Sequence, residues 1–135
     1  MEYLLLILIV FIGALVSTLV GWLWYSPKMF GRIWMKESGV QMPADGNKKK
    51  MIIRGFFANL GIDFITSAVF LLLLISFGRA NPFILGFFLW LGLIVPTLLS
   101  SVLHEKKSWK LFWINAGYRL VGLMPIALIF FFLSR

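Results

Sequence analysis

The sequence predicts an all-α integral membrane protein. Four transmembrane helices form one bundle, and a short interfacial amphipathic helix lies in the first cytoplasmic connection. Three observations predict this. The 135 residues are 61% hydrophobic with a mean hydropathy of +0.95, whereas a soluble domain is closer to half apolar. Four apolar runs, residues 3–25, 56–77, 83–103 and 111–133, each reach the length that carries a helix across a hydrocarbon core of ~30 Å. The runs are continuously apolar and do not alternate, which favours helices over a barrel. Residues 1–135 thus read as a single transmembrane domain.

The first run reads as a retained span. Glu2 is acidic where a signal peptide would be basic, the apolar stretch exceeds the usual length, and no small-residue cleavage motif follows. Gly13, Ser17 and Gly21 recur every fourth residue, a stripe of small side chains that lets another helix approach closely. The stripe serves packing inside the bundle or a seam between copies. Trp22, Trp24 and Tyr25 fit the headgroup belt, and the Ser26-Pro27 step ends the helix. Phe30, Ile33 and Trp34 then share one helical face while Arg32 and Lys36 reach water, the pattern of the interfacial helix. Residues 39–46 form a flexible loop, and Lys48, Lys49 and Lys50 a small basic cluster that fixes topology.

On the second run Gly55, Asn59, Asp63 and Ser67 recur at i+4, a small and polar stripe that faces the bundle interior. Residues 78–82 make a tight turn, so the second and third spans are expected to be antiparallel neighbours. Pro96 and Pro125 are expected to kink the third and fourth spans. Thr97, Ser100, Ser101 and His104 share a face toward the cytoplasmic end of the third span, and the fourth carries Asn115, Arg119 and Gly122 on one side.

Asp63 and Arg119 are the charges inside the runs. Each stands nine residues beyond the last basic residue before its run, Arg54 and Lys110. That is roughly 14 Å along a helix, near the middle of a bilayer core. A charge there is costly and usually paired, so Asp63 and Arg119 are expected to pair across two packed helices. Both sit in an echo, Asn59-Leu-Gly61-Ile-Asp63 and Asn115-Ala-Gly117-Tyr118-Arg119, which fits two parallel halves related by an axis along the membrane normal. The candidate polar cluster is Asp63, Arg119, Asn59, Asn115, Ser67 and Tyr118.

The net charge of +8 follows topology rather than nucleic acid. Lys28, Arg32, Lys36, Lys48, Lys49, Lys50 and Arg54 precede the second run, and Lys106, Lys107 and Lys110 the fourth; only Arg79 and Arg135 lie on the other side. The positive-inside rule makes both long connections cytoplasmic and puts both termini outside. The chain has no Cys and one His, so no zinc site is expected. No phosphate-binding or dinucleotide fingerprint appears, and no cofactor is expected. His104-Glu105 near Ser100 and Ser101 can be drawn as a lipid-modifying site, but sequence proximity does not make catalytic geometry. The chain is read as not an enzyme.

Three blocks carry a resemblance: residues 21–36 (GWLWYSPKMFGRIWMK), 86–92 (GFFLWLG) and 109–121 (WKLFWINAGYRLV). Together they resemble the bacterial family called domain of unknown function 1761. The resemblance implies a small prokaryotic membrane protein with four helices, hence the bacterial inner membrane, and it implies no activity. The small multidrug carriers are a tempting comparison, but their glutamate lies in the first helix, where this chain has no charge after Glu2. Their best-known antiparallel assembly also needs a weaker charge bias than this one. Expected partners are the lipid bilayer, a second copy in parallel orientation, and an ion or small solute. Two functions stand open: a transport-type protein with a polar site at the midplane, or a structural or accessory protein whose buried charges only fix helix packing.

Overall fold

Helix formation follows the apolar runs but overshoots one of them. The computed structural model describes residues 1–44, 46–78 and 80–133, so Arg79 and Arg135 lie outside the described residues. The helices are α1 (Glu2–Trp24), α2 (Gly31–Ser38), α3 (Lys48–Ser76), α4 (Pro82–Glu105) and α5 (Trp109–Leu133). All but α2 are long and apolar enough to cross a membrane, and they pack in one bundle. Helix α3 starts at Lys48, well before its apolar run begins. Lysine is a good helix former and no proline intervenes, so the helix extends through the basic cluster.

Helix α1 lies between α3 and α5 and antiparallel to both. Its buried face is Val10, Gly13, Ala14, Ser17, Thr18 and Gly21. The small side chains are what permit the approach. A Cβ at Gly13 would stand 2.9 Å from Ser67 Oγ on α3, and one at Gly21 would stand 2.7 Å from the Tyr118 ring on α5. From the other side, Gly122 of α5 brings its Cα up to Ser17. Toward the end where the termini lie, Val10, Phe70, Leu74, Leu123, Ile126 and Phe130 close an apolar core, with Phe70 and Phe130 stacked 6.0 Å apart.

Helix α4 is peripheral. Only 6% of its apolar window is buried, against 39% for α5. Asn81 caps it by accepting from the Phe83 and Ile84 amides at 3.0 and 3.4 Å, with Pro82 in the first turn. It packs on α5 and meets α3 only near the connecting turn, where Gly86 lies against Phe70. The expected pairing of the second and third spans thus holds only at that turn. Trp90 supplies the reason, since its indole donates to the Ala116 carbonyl at 2.7 Å and ties α4 to α5. Residues Trp90–Ile94 form a π-helical turn just before Pro96, a wider turn that accommodates the missing amide and the ring. Helix α5 runs unbroken through Pro125.

The chain leaves α1 through a tight turn. The amides of Phe30 and Gly31 donate back to the Trp24 and Ser26 carbonyls. A Cβ at Gly31 would overlap the Tyr25 carbonyl oxygen, so only glycine fits. Helix α2 then packs on α5 and ends at Gly39 in the left-handed conformation.

Candidate functional site

The polar residues of α1, α3 and α5 meet around Asp63, which is 3% exposed. Three donors converge on its Oδ2: the Thr18 hydroxyl at 2.8 Å, Asn59 Nδ2 at 3.1 Å and the Tyr118 hydroxyl at 3.5 Å. Asn59 Nδ2 also donates to the Tyr118 oxygen at 2.9 Å. One carboxylate oxygen therefore joins three helices. Thr18 stands six residues from the end of α1, about 9 Å along the helix.

The expected Asp63–Arg119 ion pair is not formed. Among the described residues Arg119 has no carboxylate within 4.0 Å and no hydrogen-bond acceptor. Its guanidinium carbon lies 5.4 Å from the Tyr118 ring centroid. The reason is the layout of the bundle. Helices α3 and α5 meet through the Tyr118 and Phe130 side chains rather than backbone to backbone, and Thr18 on α1 takes the position beside Asp63 that Arg119 was expected to fill. Asn59 and Asn115 do not meet either. Asn115 Oδ1 accepts from the Tyr25 hydroxyl at 2.8 Å, while Asn59 serves Tyr118 and Asp63. The two halves of the sequence echo thus have different partners.

Asp63 and Arg119 nevertheless share a space. A cleft of about 270 Å³ opens between α3 and α4, with α5 and α1 behind it. Its polar side is Ser17, Asp63, Thr66, Tyr118 and Arg119, and its apolar side includes Ile62, Ile94, Leu123 and Ile126. The cleft exists because α4 leans on α5 and leaves α3 beyond the turn. Ile62 on its rim is 46% exposed, so the opening faces sideways out of the bundle. A second cavity, about 340 Å³ near the termini, is lined by apolar side chains such as Leu6, Leu74 and Phe130.

The other residues singled out in the sequence fall elsewhere. Ser67 is fully buried beside Gly13, and its hydroxyl has no hydrogen-bond partner among the described residues. Gly13, Ser17 and Gly21 are all buried inside this chain. Phe30 and Trp34 turn onto the protein, against Trp24 at 4.6 Å and Tyr25 at 5.5 Å between ring centroids, while Ile33 is 45% exposed. Thr18, Tyr25, Trp24 and Trp90 were not singled out as bonding residues. Trp24 donates to the Ile114 carbonyl at 3.1 Å, the counterpart of Trp90 on the other flank of α5. A hydroxyl pair, Ser17-Thr18, inside an otherwise greasy helix was the available signal for Thr18.

No curated protein and no solved structure matches the chain significantly. The family described as "Protein of unknown function (DUF1761)" matches residues 8–131, nearly the whole chain, and the chain belongs to it.

Proposed function

We propose that this is a small transport-type membrane protein whose intramembrane cleft binds an ion or small solute. Arg119 is the anchor and Asp63 the opposing charge. The observation that carries the reading is Arg119: the residue lines a cleft inside the bundle, and its guanidinium, beside the Tyr118 ring, has no hydrogen-bond acceptor among the described residues. A guanidinium within a membrane span is expensive to leave unpaired, so a site that binds an anionic group supplies what the fold lacks. The role is binding rather than catalysis, with no cofactor. The setting proposed is the bacterial inner membrane, with both termini outside and parallel copies, on the charge bias of the connections.

One observation favours the second reading, a structural or accessory protein. Three donors on Asp63 Oδ2 join α1, α3 and α5, as polar groups that only fix packing would do.

Water access separates the two. The chain has no cysteine, so Thr66→Cys on the cleft reports alone. In phosphatidylglycerol proteoliposomes it reacts with a charged methanethiosulfonate reagent far faster than Val69→Cys, an exposed position outside the cleft. Equal and negligible rates at both positions would remove the transport reading and leave the structural one.

A further inference from the structure

Resting on the binding reading above, we infer that the cleft is built for a zwitterion: an oxyanion and an ammonium a few ångströms apart on an apolar body. Three features of the cleft carry this.

First, it holds one charge of each sign, and the two do not neutralise each other: no Asp63–Arg119 ion pair lies within 4.0 Å. A simple anion would satisfy Arg119 while facing the Asp63 carboxylate, and a simple cation would do the reverse. A ligand carrying both signs meets both.

Second, each charge has capacity to spare. The guanidinium offers five N–H donors in a planar fork that matches a carboxylate or phosphate, and none is used within the described chain. On Asp63 the three donors placed by distance all reach Oδ2, and the Ser17 hydroxyl is the one further internal donor beside the carboxylate, so Oδ1 keeps acceptor capacity. An ammonium, with three donors and no acceptor, is the complement of that oxygen.

Third, the rest of the lining is apolar, and the opening is sideways. Ile62, Ile94 and Leu123 face the space, and the rim lies between α3 and α4 rather than at an end of the bundle. An apolar body attached to the zwitterion is accommodated there, either wholly within the cleft or trailing from it into hydrocarbon. The same chemistry occurs in a free amino acid with an aliphatic side chain and in the ethanolamine headgroup of a phospholipid. The sideways opening admits either.

The test reads protection of Thr66→Cys from the methanethiosulfonate reagent. One arm adds leucine, 4-methylpentanoate, which lacks the ammonium, or 3-methylbutylamine, which lacks the carboxylate. The other uses nanodiscs of phosphatidylethanolamine or of phosphatidylglycerol, with no added solute. A free zwitterion as ligand predicts that leucine slows the reaction about tenfold at saturation, with both single-charge analogues weaker. A headgroup as ligand predicts protection in phosphatidylethanolamine and not in phosphatidylglycerol. Either pattern supports the proposal and names the source.

Arg119→Gln removes the protection, and Arg119→Lys restores part of it without the fork. In Asp63→Asn, 4-methylpentanoate protects as well as leucine does. The zwitterion assignment is overturned if 4-methylpentanoate protects the parent as well as leucine does, or if no zwitterion from either source protects a reactive Thr66→Cys. In both cases the binding site itself still stands. A Thr66→Cys that is unreactive in phosphatidylglycerol as well, with no added solute, overturns the binding reading too.

Discussion

Gly21→Ala probes the closest approach in the bundle. The new methyl would stand 2.7 Å from Tyr118 Cε2 and from its oxygen, and 2.9 Å from Cζ. The ring has little room to withdraw. It is 4% exposed, packs edge-on to Tyr25 at 5.1 Å, and its oxygen accepts from Asn59 at 2.9 Å. Overpacking of this kind costs about 1–3 kcal/mol. Displacing Tyr118 also loosens its bonds to Asn59 and Asp63, each worth about 0.6 kcal/mol for an interhelical bond in a membrane. Alanine's better helix propensity returns about 1 kcal/mol. The net expectation is a loss of about 1–3 kcal/mol. Gly61→Ala is the control, because nothing lies within 4 Å of its Cβ; it is neutral or mildly stabilising. Equilibrium unfolding in mixed micelles measures both, and Gly21→Ala in a Tyr118→Leu background recovers most of the loss. If Gly21→Ala is as stable as Gly61→Ala, the packing of α1 on α5 is not as described.

Further predictions use the same assay or simple labelling. Thr18→Val removes the 2.8 Å bond to Asp63 at nearly constant volume and costs about 0.6–1.7 kcal/mol, while Thr18→Ser stays near the parent. Trp90→Phe breaks the indole bond to Ala116 and raises amide exchange in α4 while leaving α1 and α3 protected. A single cysteine at Ser38, in the first basic connection, is labelled by an impermeant maleimide only when the reagent reaches the cytoplasmic face; labelling from outside would reverse the proposed orientation.

The four spans were legible because their apolar runs are long and separated by charged connections. The Gly13/Ser17/Gly21 stripe marked a face that packs closely, but a stripe does not name its partner. One face of α1 serves both α3, at Ser67, and α5, at Tyr118. The Asp63–Arg119 expectation erred for a related reason. Depth along a helix can be read from sequence, whereas which helix stands between two others is decided by packing. Thr18 carries a short hydroxyl in an apolar run and gave only a faint signal, yet it is the nearest donor to Asp63. The position of α4 was hidden too, because short turns imply adjacency. Here two indole bonds to α5 carbonyls, from Trp24 and Trp90, shape the bundle instead. Periodicity treats an indole as apolar and says nothing of its donor.

The central claim is that Asp63 and Arg119 share a cleft without pairing. A charge-swap cycle tests it most directly: Asp63→Arg, Arg119→Asp and the double variant, each scored for membrane expression and unfolding in mild detergent. Asp63→Arg places a group that accepts nothing opposite the donors Thr18, Asn59 and Tyr118. Restoring a partner at position 119 does not repair that, so the double variant is expected to be no more stable than Asp63→Arg alone. Recovery of the double variant to near the parent would mean that the two side chains touch, and would contradict the account.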